Sequence, residues 1–321
     1  MAQPPSRLYV VRKHFASLPS TNAHAREMAA ARALSPDALT VVTADEQTAG
    51  RGRLGRSWAS SRDDIKATFA FRVPRHAMPQ AYQLSPLMAV VACRAVARHG
   101  GGAERHGVAP RIKWPNDVIV GGGRKAGGIL CELESDPDGE GAWAALGLGL
   151  NVNSLPEALG VERAVWPLST LRAEARAGFA WDVAALLDEL CAEMREALHV
   201  FFWAGDAASA PPGAAAAGGG GAFGGGAFGG VGSLFSPFQA EYERLSVLLG
   251  RVIRFADGGR LVQGRAVRIG ADGRLFIQED AAAAGAEPRG FLSGEVAGVE
   301  LVDEASGAST LVEGFRDDAA S

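Results

Sequence analysis

Residues 48–58, TAGRGRLGRSW, thread Arg51, Arg53 and Arg56 between Gly50, Gly52 and Gly55. Three guanidiniums offer planar N–H forks that match phosphate and carboxylate oxygens. The glycines let backbone amides approach an anion closely and leave the loop mobile until its charges are neutralised. Downstream, KWPND supplies Lys113, Asn116 and Asp117, and RKAGGILCE supplies Lys125. Of 32 basic residues only four are lysines, Lys13, Lys66, Lys113 and Lys125, so two of the four fall inside these motifs. A compact ammonium acts on a reacting phosphate as a point charge where a guanidinium fork would not fit. Such a set suits a reaction in which cations offset charge developing at phosphorus and on its leaving group.

The loop has other readings. Its glycines satisfy G-x-G-x-x-G, which in a dinucleotide site ends a strand, opens a helix and meets an acidic residue about twenty positions on. A strand does precede it. The following SWASSRDDIKATF lacks helical periodicity, and VPRHAM, where the acidic residue is due, holds no carboxylate. A nucleic-acid segment of RGG type sits in a longer basic run. Here a single turn lies in a chain of net charge −4, which has no global positive field. An exposed polar loop is the plain structural alternative. Three interleaved arginines favour a phosphate-handling loop.

The elements that must hold these residues follow from the pattern. RLYVVRKHF, LTVVTADE and KATFAFRVP read as strands, and PSTNAHAREMAAARAL as an Ala-rich helix capped by Ser20 or Thr21. Residues 80–98 suit a buried helix. RIKWPNDVIV is a strand that turns at Pro115, Asn116 and Asp117 and resumes. KAGGILCELES and AWAALGLGLNVN look like neighbouring strands. WDVAALLDELCAEMREALHVFF is amphipathic, with Val183, Leu186, Leu187, Leu190, Met194 and Leu198 on one stripe. Residues 207–233 are almost wholly Gly and Ala and read as a disordered insertion. A closing helix over 234–249 follows, and then short strands with Asp-Gly turns over 250–315. The expected organisation is therefore a mixed domain over 1–206, the insertion, its closing helix and a small β domain.

Composition sets further bounds. At 321 residues, 47% apolar and 21% charged, the chain has the profile of a soluble globular protein. Cys93, Cys131 and Cys191 show neither metal spacing nor a disulfide framework, which suits a reducing cytoplasm. The N-terminus lacks a secretory h-region, and LSPLMAVVACRAVA is broken by Arg94. The expectation is a cytoplasmic protein with no membrane or DNA partner. The six histidines make no constellation.

STN, GRGRLGRSW, KWPNDV, RKAGGILCE and GLGLNVN, in this order, make the chain closely resemble biotin–protein ligases. The likeness is motif-rich over 18–153 and weaker to about residue 302. It implies an α+β fold: a mixed-sheet catalytic domain of the biotin/lipoate ligase kind with a small C-terminal SH3-like β-barrel. It also implies ATP-dependent activation of biotin to biotinyl-5′-adenylate, then transfer to one lysine of a biotin carboxyl carrier protein of acetyl-CoA carboxylase. By resemblance, Ser20, Thr21, Asn22 and Gln47 bind the ureido ring, with Trp58, Gly127 and Gly128 as walls. Gly50, Arg51, Gly52 and Arg53 close over the biotin carboxylate and phosphates. Lys125 contacts the reacting groups. Arg53, Arg56, Trp58, Lys113, Asn116, Asp117, Lys125 and Asn151 face ATP, with Asp117 the expected Mg²⁺ ligand. STN alone is a plain helix cap, and a lone Asp in a turn is ordinarily a turn former.

Departures are also visible. Nineteen residues precede Ser20, which leads to the expectation of a monofunctional ligase without the winged helix some members carry. DDIKATFAF stands where members often read NLYLS, and the Gly/Ala tract is foreign to the pattern. FLSGEVAGVEL resembles the end of the family's C-terminal domain. Members often form homodimers through the central sheet. The rival functions are a lipoate-type acyl-adenylate ligase and a non-catalytic biotin-binding protein. A biotin carrier is excluded, because there is no Met-Lys-Met acceptor.

Overall fold

Ser20 adopts extended backbone and its hydroxyl accepts from the amide of Ala23, which starts helix α1 (Thr21–Ala30) directly after strand β1 (Tyr9–Leu18). Of the two expected caps, Ser20 is the one used. β2 (Ala38–Gln47) returns parallel to β1, and β3 (Ile65–Pro74) pairs antiparallel with β2. This computed structural model describes residues 8–58, 61–136, 139, 141–155, 166–203, 233–257, 260–282, 285–293, 295–302 and 309–313. The expected insertion, apart from Ser233, and the end of the expected β domain lie outside the described residues.

After a 3-10 segment (Arg75–Gln83) come α2 (Leu84–Arg98) and the one-turn α3 (Ala103–His106). β4 (Arg111–Lys113), β5 (Asp117–Val120), β6 (Arg124–Ser135) and β7 (Gly141–Leu150) then complete a seven-stranded mixed sheet. Its order is β1-β2-β3-β7-β6-β5-β4. α2 starts at Leu84 rather than near residue 80, because Pro86 lacks an N–H and is tolerated only in a first turn. α2 is buried along its length and packs against α5 (Val183–Trp203), the expected amphipathic helix, which follows the short α4 (Leu171–Glu174). Leu186, Leu190, Met194 and Leu198 of its stripe are fully buried, and Val183 and Leu187 lie at the margin. None of the described helices is long and apolar enough to cross a membrane.

The closing helix, α6, spans Ser236–Leu245 and stops four residues before the expected end. Ser246 forms a bridge with Ile112, and the amide of Val247 donates to the Ile112 carbonyl at 2.9 Å. The edge of β4 needs backbone partners, and that demand overrides helix continuation.

The C-terminal strands are β8 (Val252–Asp257), β9 (Arg260–Ile269), β10 (Leu275–Glu279), β11 (Arg289–Phe291), β12 (Glu295–Val302) and β13 (Ser309–Glu313). They form a separate antiparallel sheet, order β11-β10-β9-β8-β12-β13. β11 and β13 are too short or too polar to stand out in the sequence. This sheet docks behind the KWPND turn. Trp114 donates its indole N–H to the Gly273 carbonyl at 3.0 Å, and Gln239 of α6 donates to the Ile269 carbonyl at 2.8 Å.

Candidate active site

Register places the chemistry. Lys66 on β3 pairs with Gly149 on β7, Gly149 with Gly128 on β6, Gly128 with Asp117 on β5, and Asp117 with Lys113 on β4. One row across the sheet thus carries a lysine at each end and two glycines between. A Cβ on Gly149 would lie 2.3 Å from Cε2 of Trp58, and one on Gly128 3.1 Å from Trp58 Cζ3. The glycines are the space in which the indole lies. Gly147, on the same face of β7, makes room for Asn22, whose Oδ1 a Cβ there would meet at 2.4 Å.

Over this platform opens a cavity of about 420 Å³. Ser20, Thr21, Asn22 and Gln47 line one end. Gln47 Oε1 accepts from the amide and the hydroxyl of Thr21 at 2.8 and 3.1 Å. The Thr68 hydroxyl donates to Asn22 Oδ1 at 2.6 Å. Asn22 Nδ2 is directed at the carbonyls of Leu130 and Ala145 and at Glu132 Oε2. Asn22 therefore lines the wall with its amide hydrogens already engaged, and Thr21 and Gln47 keep more capacity for a polar ligand.

The glycine–arginine loop folds back as a small hairpin. The Trp58 amide donates to the Gly50 carbonyl at 2.9 Å, the Gly52 amide donates to the Arg56 carbonyl at 2.6 Å, and Arg51 bridges Ser57. Arg51, Gly52, Arg53, Arg56 and Trp58 line the cavity; Gly50 is absent from the lining. A Cβ on Gly50 would lie 2.5 Å from the Trp58 carbonyl oxygen, so this glycine closes the hairpin. Two side chains tie the loop to the sheet. Arg51 Nη2 reaches both oxygens of Glu132 at 3.1 Å, and Arg53 donates to Asn116 Oδ1 at 3.0 Å.

At the other end, Lys113 Nζ lies 2.8 Å from Asp117 Oδ2 and Lys125 Nζ 2.7 Å from Oδ1. Burial alone would raise the Asp117 carboxyl, but the two ammoniums outweigh it and hold the group well below the usual carboxylate range. Lys113 faces the ring of Trp166 at 5.2 Å and Lys125 that of Trp58 at 5.7 Å, within cation–π range. Asn151 lines this end and donates to the Ser169 carbonyl at 3.2 Å. The expectation of Asp117 as a magnesium ligand does not fit, because both of its oxygens are turned to ammoniums. Among the described residues no group of three or more His, Cys, Asp or Glu could hold a metal.

Four contributors escaped the motif reading: Lys66, Thr68, Glu132 and Trp166. Lys66 and Thr68 were legible in principle, since β3 alternates and Ile65, Ala67 and Phe69 point into the core. Glu132 ends the RKAGGILCE motif but received no role there, and Trp166 depends on tertiary placement alone. His99 and His106 pack instead against Trp181 and Phe179, outside the cavity lining. Burial pushes the Cys131 thiol up to about 12, opposite to the shift a thiolate nucleophile needs.

Residues 15–151 match the biotin/lipoate A/B protein ligase family. The chain carries a biotin/lipoate ligase family domain. Over 172 residues it is 40% identical to a biotin–[acetyl-CoA-carboxylase] ligase of Paracoccus denitrificans, a match covering 53% of this chain and 66% of that protein. Over 117 residues it is 37% identical to the bifunctional ligase/repressor BirA of Bacillus subtilis, covering 36% of this chain and 34% of that one. The chain thus spans about two thirds or less of these curated relatives. A biotin protein ligase from Aquifex aeolicus, solved in complex with biotin and ATP, superposes with a TM-score of 0.59 at 22% identity. That match covers 90% of this chain and 97% of the other, and it bears on the fold. The family match ends at Asn151, so β7, with Gly147 and Gly149, falls inside it and the C-terminal sheet does not.

Proposed function

We propose that this chain is an ATP-dependent biotin ligase. The observation that carries the proposal is the pairing of Lys113 and Lys125 on one buried carboxylate, in a cavity whose far end is built from hydroxyls and amides. The name of the Paracoccus relative and the ligands of the Aquifex structure support the same reading.

In the first step the biotin carboxylate attacks the α-phosphorus of ATP. A new P–O bond forms, the bond to pyrophosphate breaks, and biotinyl-5′-adenylate remains. Thr21 and Gln47 hold the ureido ring; Lys125 and Lys113 offset charge at the α-phosphate and on the departing pyrophosphate. Asp117 holds both ammoniums in place and aimed. Magnesium is read as arriving with the triphosphate, and no protein ligand is assigned to it.

In the second step the neutral ε-amine of a carrier lysine attacks the acyl carbon. The amide forms, AMP leaves with the electron pair of the C–O bond, and the amine gives up a proton. An adenylate is already a good leaving group, so alignment and exclusion of water suffice, and in this reading the Arg51–Arg53 loop supplies both. The proposed acceptor is a biotin carboxyl carrier domain of acetyl-CoA carboxylase.

Incubating the chain with a purified carrier domain, biotin, ATP and Mg²⁺ tests the reading. Label is expected on the carrier only when both biotin and ATP are present, with none from lipoate. Absence of biotin-dependent ATP–pyrophosphate exchange would overturn it, and exchange driven by lipoate would move the chain to the lipoate class.

A further inference from the structure

Lys66 is only 3% exposed, against 8% for Lys113, and it lines the same cavity. The other two cavity lysines share Asp117 as counter-charge. Lys66 has no direct ion pair: its Nζ donates to the Ser61 carbonyl, and among the described residues no carboxylate lies within ion-pair distance, Asp64, Asp45 and Asp63 acting on it only from farther away. Its neighbour Asp64 is already committed. Asp64 Oδ1 accepts from the amides of Val152 and Ser154 and from the Ser154 hydroxyl, and Oδ2 accepts from Ser61. A buried ammonium without a directly paired anion is costly and is retained where something else supplies one.

The row across the sheet narrows what that is. Lys66 stands at one end, the Trp58 indole covers Gly149 and Gly128 in the middle, and Asp117 and Lys113 stand at the other end. Along β3, Lys66 is two residues from Thr68, on the same face and about 7 Å away. Thr68 belongs to the polar end with Thr21 and Asn22. An acyl chain that leaves the polar end therefore reaches the row on the Lys66 side of the glycine platform, and the paired lysines lie beyond it.

We propose that Lys66 is an anion-binding residue of this site and that its counter-ion is the carboxylate of the acyl substrate. The proposal deepens the ligase reading and rests on it. Burial pushes the Lys66 ammonium down from its ordinary pKa, against the opposing pull of Asp64, Asp45 and Asp63. A bound carboxylate reverses that cost, so the residue is spent on the charged end of the ligand rather than on the fold.

Isothermal titration of the full chain with biotin, with uncharged biotinamide and with ATP tests this. Lys66→Met is expected to weaken biotin about 10-fold or more, as for loss of a hydrogen bond to a charged group, and to leave biotinamide and ATP within about twofold. Lys66→Arg, which keeps the charge, restores part of the biotin affinity and guards against misfolding of the Met variant. Equal weakening of biotin and biotinamide would overturn the proposal, since that is the signature of packing. Weakening confined to ATP would also overturn it. If wild-type chain bound no biotin, the ligase reading would fall; if it bound biotin and Lys66→Met bound it equally well, this assignment alone would fall.

Discussion

Lys125 Nζ sits 2.7 Å from one oxygen of Asp117, and the opposite oxygen belongs to Lys113. The carboxylate is 5% exposed, so it is the charge that lets two ammoniums stand side by side at the floor of a cavity. The pair is pre-aimed: neither lysine has to be ordered when the phosphates arrive, and catalytic electrostatics depend on such preorganisation.

The first prediction tests that arrangement. Asp117→Asn leaves two like charges without their partner, a change that costs roughly 3–5 kcal/mol when the site is buried. Lys125→Met costs much less, because Lys113 keeps Asp117 paired. Urea unfolding of the two variants should show this order. Equal destabilisation would mean that Asp117 does not hold the pair together.

Lys125→Arg separates charge from shape. A guanidinium preserves the ion pair with Asp117 but cannot act as a compact point charge at a reacting phosphate. Fold and biotin binding should be retained while adenylate formation is nearly abolished. Near-normal pyrophosphate release would remove Lys125 from the reaction.

Glu132 connects the loop to the polar end, accepting from Arg51, Arg26 and Asn22. Arg51 is about half exposed in its side chain, so this tie belongs with the weak surface pairs, worth about 0.2–1 kcal/mol. Glu132→Gln should therefore loosen the loop without unfolding the chain. Trypsin should cut after Arg51, Arg53 or Arg56 a few times faster in the variant, with the difference suppressed by biotin and ATP. Unchanged cleavage would show that Glu132 does not restrain the loop.

The order of elements was legible because periodicity is a local property. β1 to β7, α1, α2 and α5 each declare themselves by apolar runs, an N-cap or, for α5, an apolar stripe. The motif residues Thr21, Gln47, Arg51, Lys113 and Lys125 also converge on one cavity as their grouping suggests. What the sequence conceals is register. The row from Lys66 to Lys113 joins residues 47 positions apart through four strand pairings, and no single motif contains it. The same applies to Asp117, which reads locally as a turn former or metal ligand and becomes a counter-ion only when Lys125 is folded back beside it. The C-terminal sheet is less legible still, since β11 is three residues long and takes its place by pairing with β10.

The glycines of GLGLN make a sharper test than the charged residues. Neither Gly147 nor Gly149 has a positive φ, so alanine is tolerated by the backbone and resisted only by the neighbouring side chain. Gly149→Ala must move the Trp58 ring, and Gly147→Ala must move the Asn22 amide. Both variants should fold with losses of about 1–3 kcal/mol, the range for overpacking. Their kinetics should differ: Gly149→Ala should impair adenylate formation and retention, and Gly147→Ala should chiefly raise KM for biotin. Identical kinetic defects would contradict the division of the cavity into two ends.

The last prediction concerns pH. Burial lowers the Lys66 pKa in the folded chain; Asp64, Asp45 and Asp63 oppose the shift and Arg62 adds to it. Between the folded value and the ordinary lysine value of about 10.4, the unfolded chain holds this proton more often than the folded one. Stability gained from Lys66 therefore rises with pH across that window, and below it the full desolvation cost applies to the folded state. Lys66→Met removes the cost. The variant should gain stability relative to wild type near neutral pH, and the gap should narrow as pH rises toward 10, because other titrating groups cancel in the comparison. Saturating biotin should shrink or reverse the gap at neutral pH by giving the ammonium its counter-charge. Parallel urea-midpoint curves for the two proteins, with and without biotin, would show that Lys66 is neither a strained cation nor a partner of the substrate carboxylate.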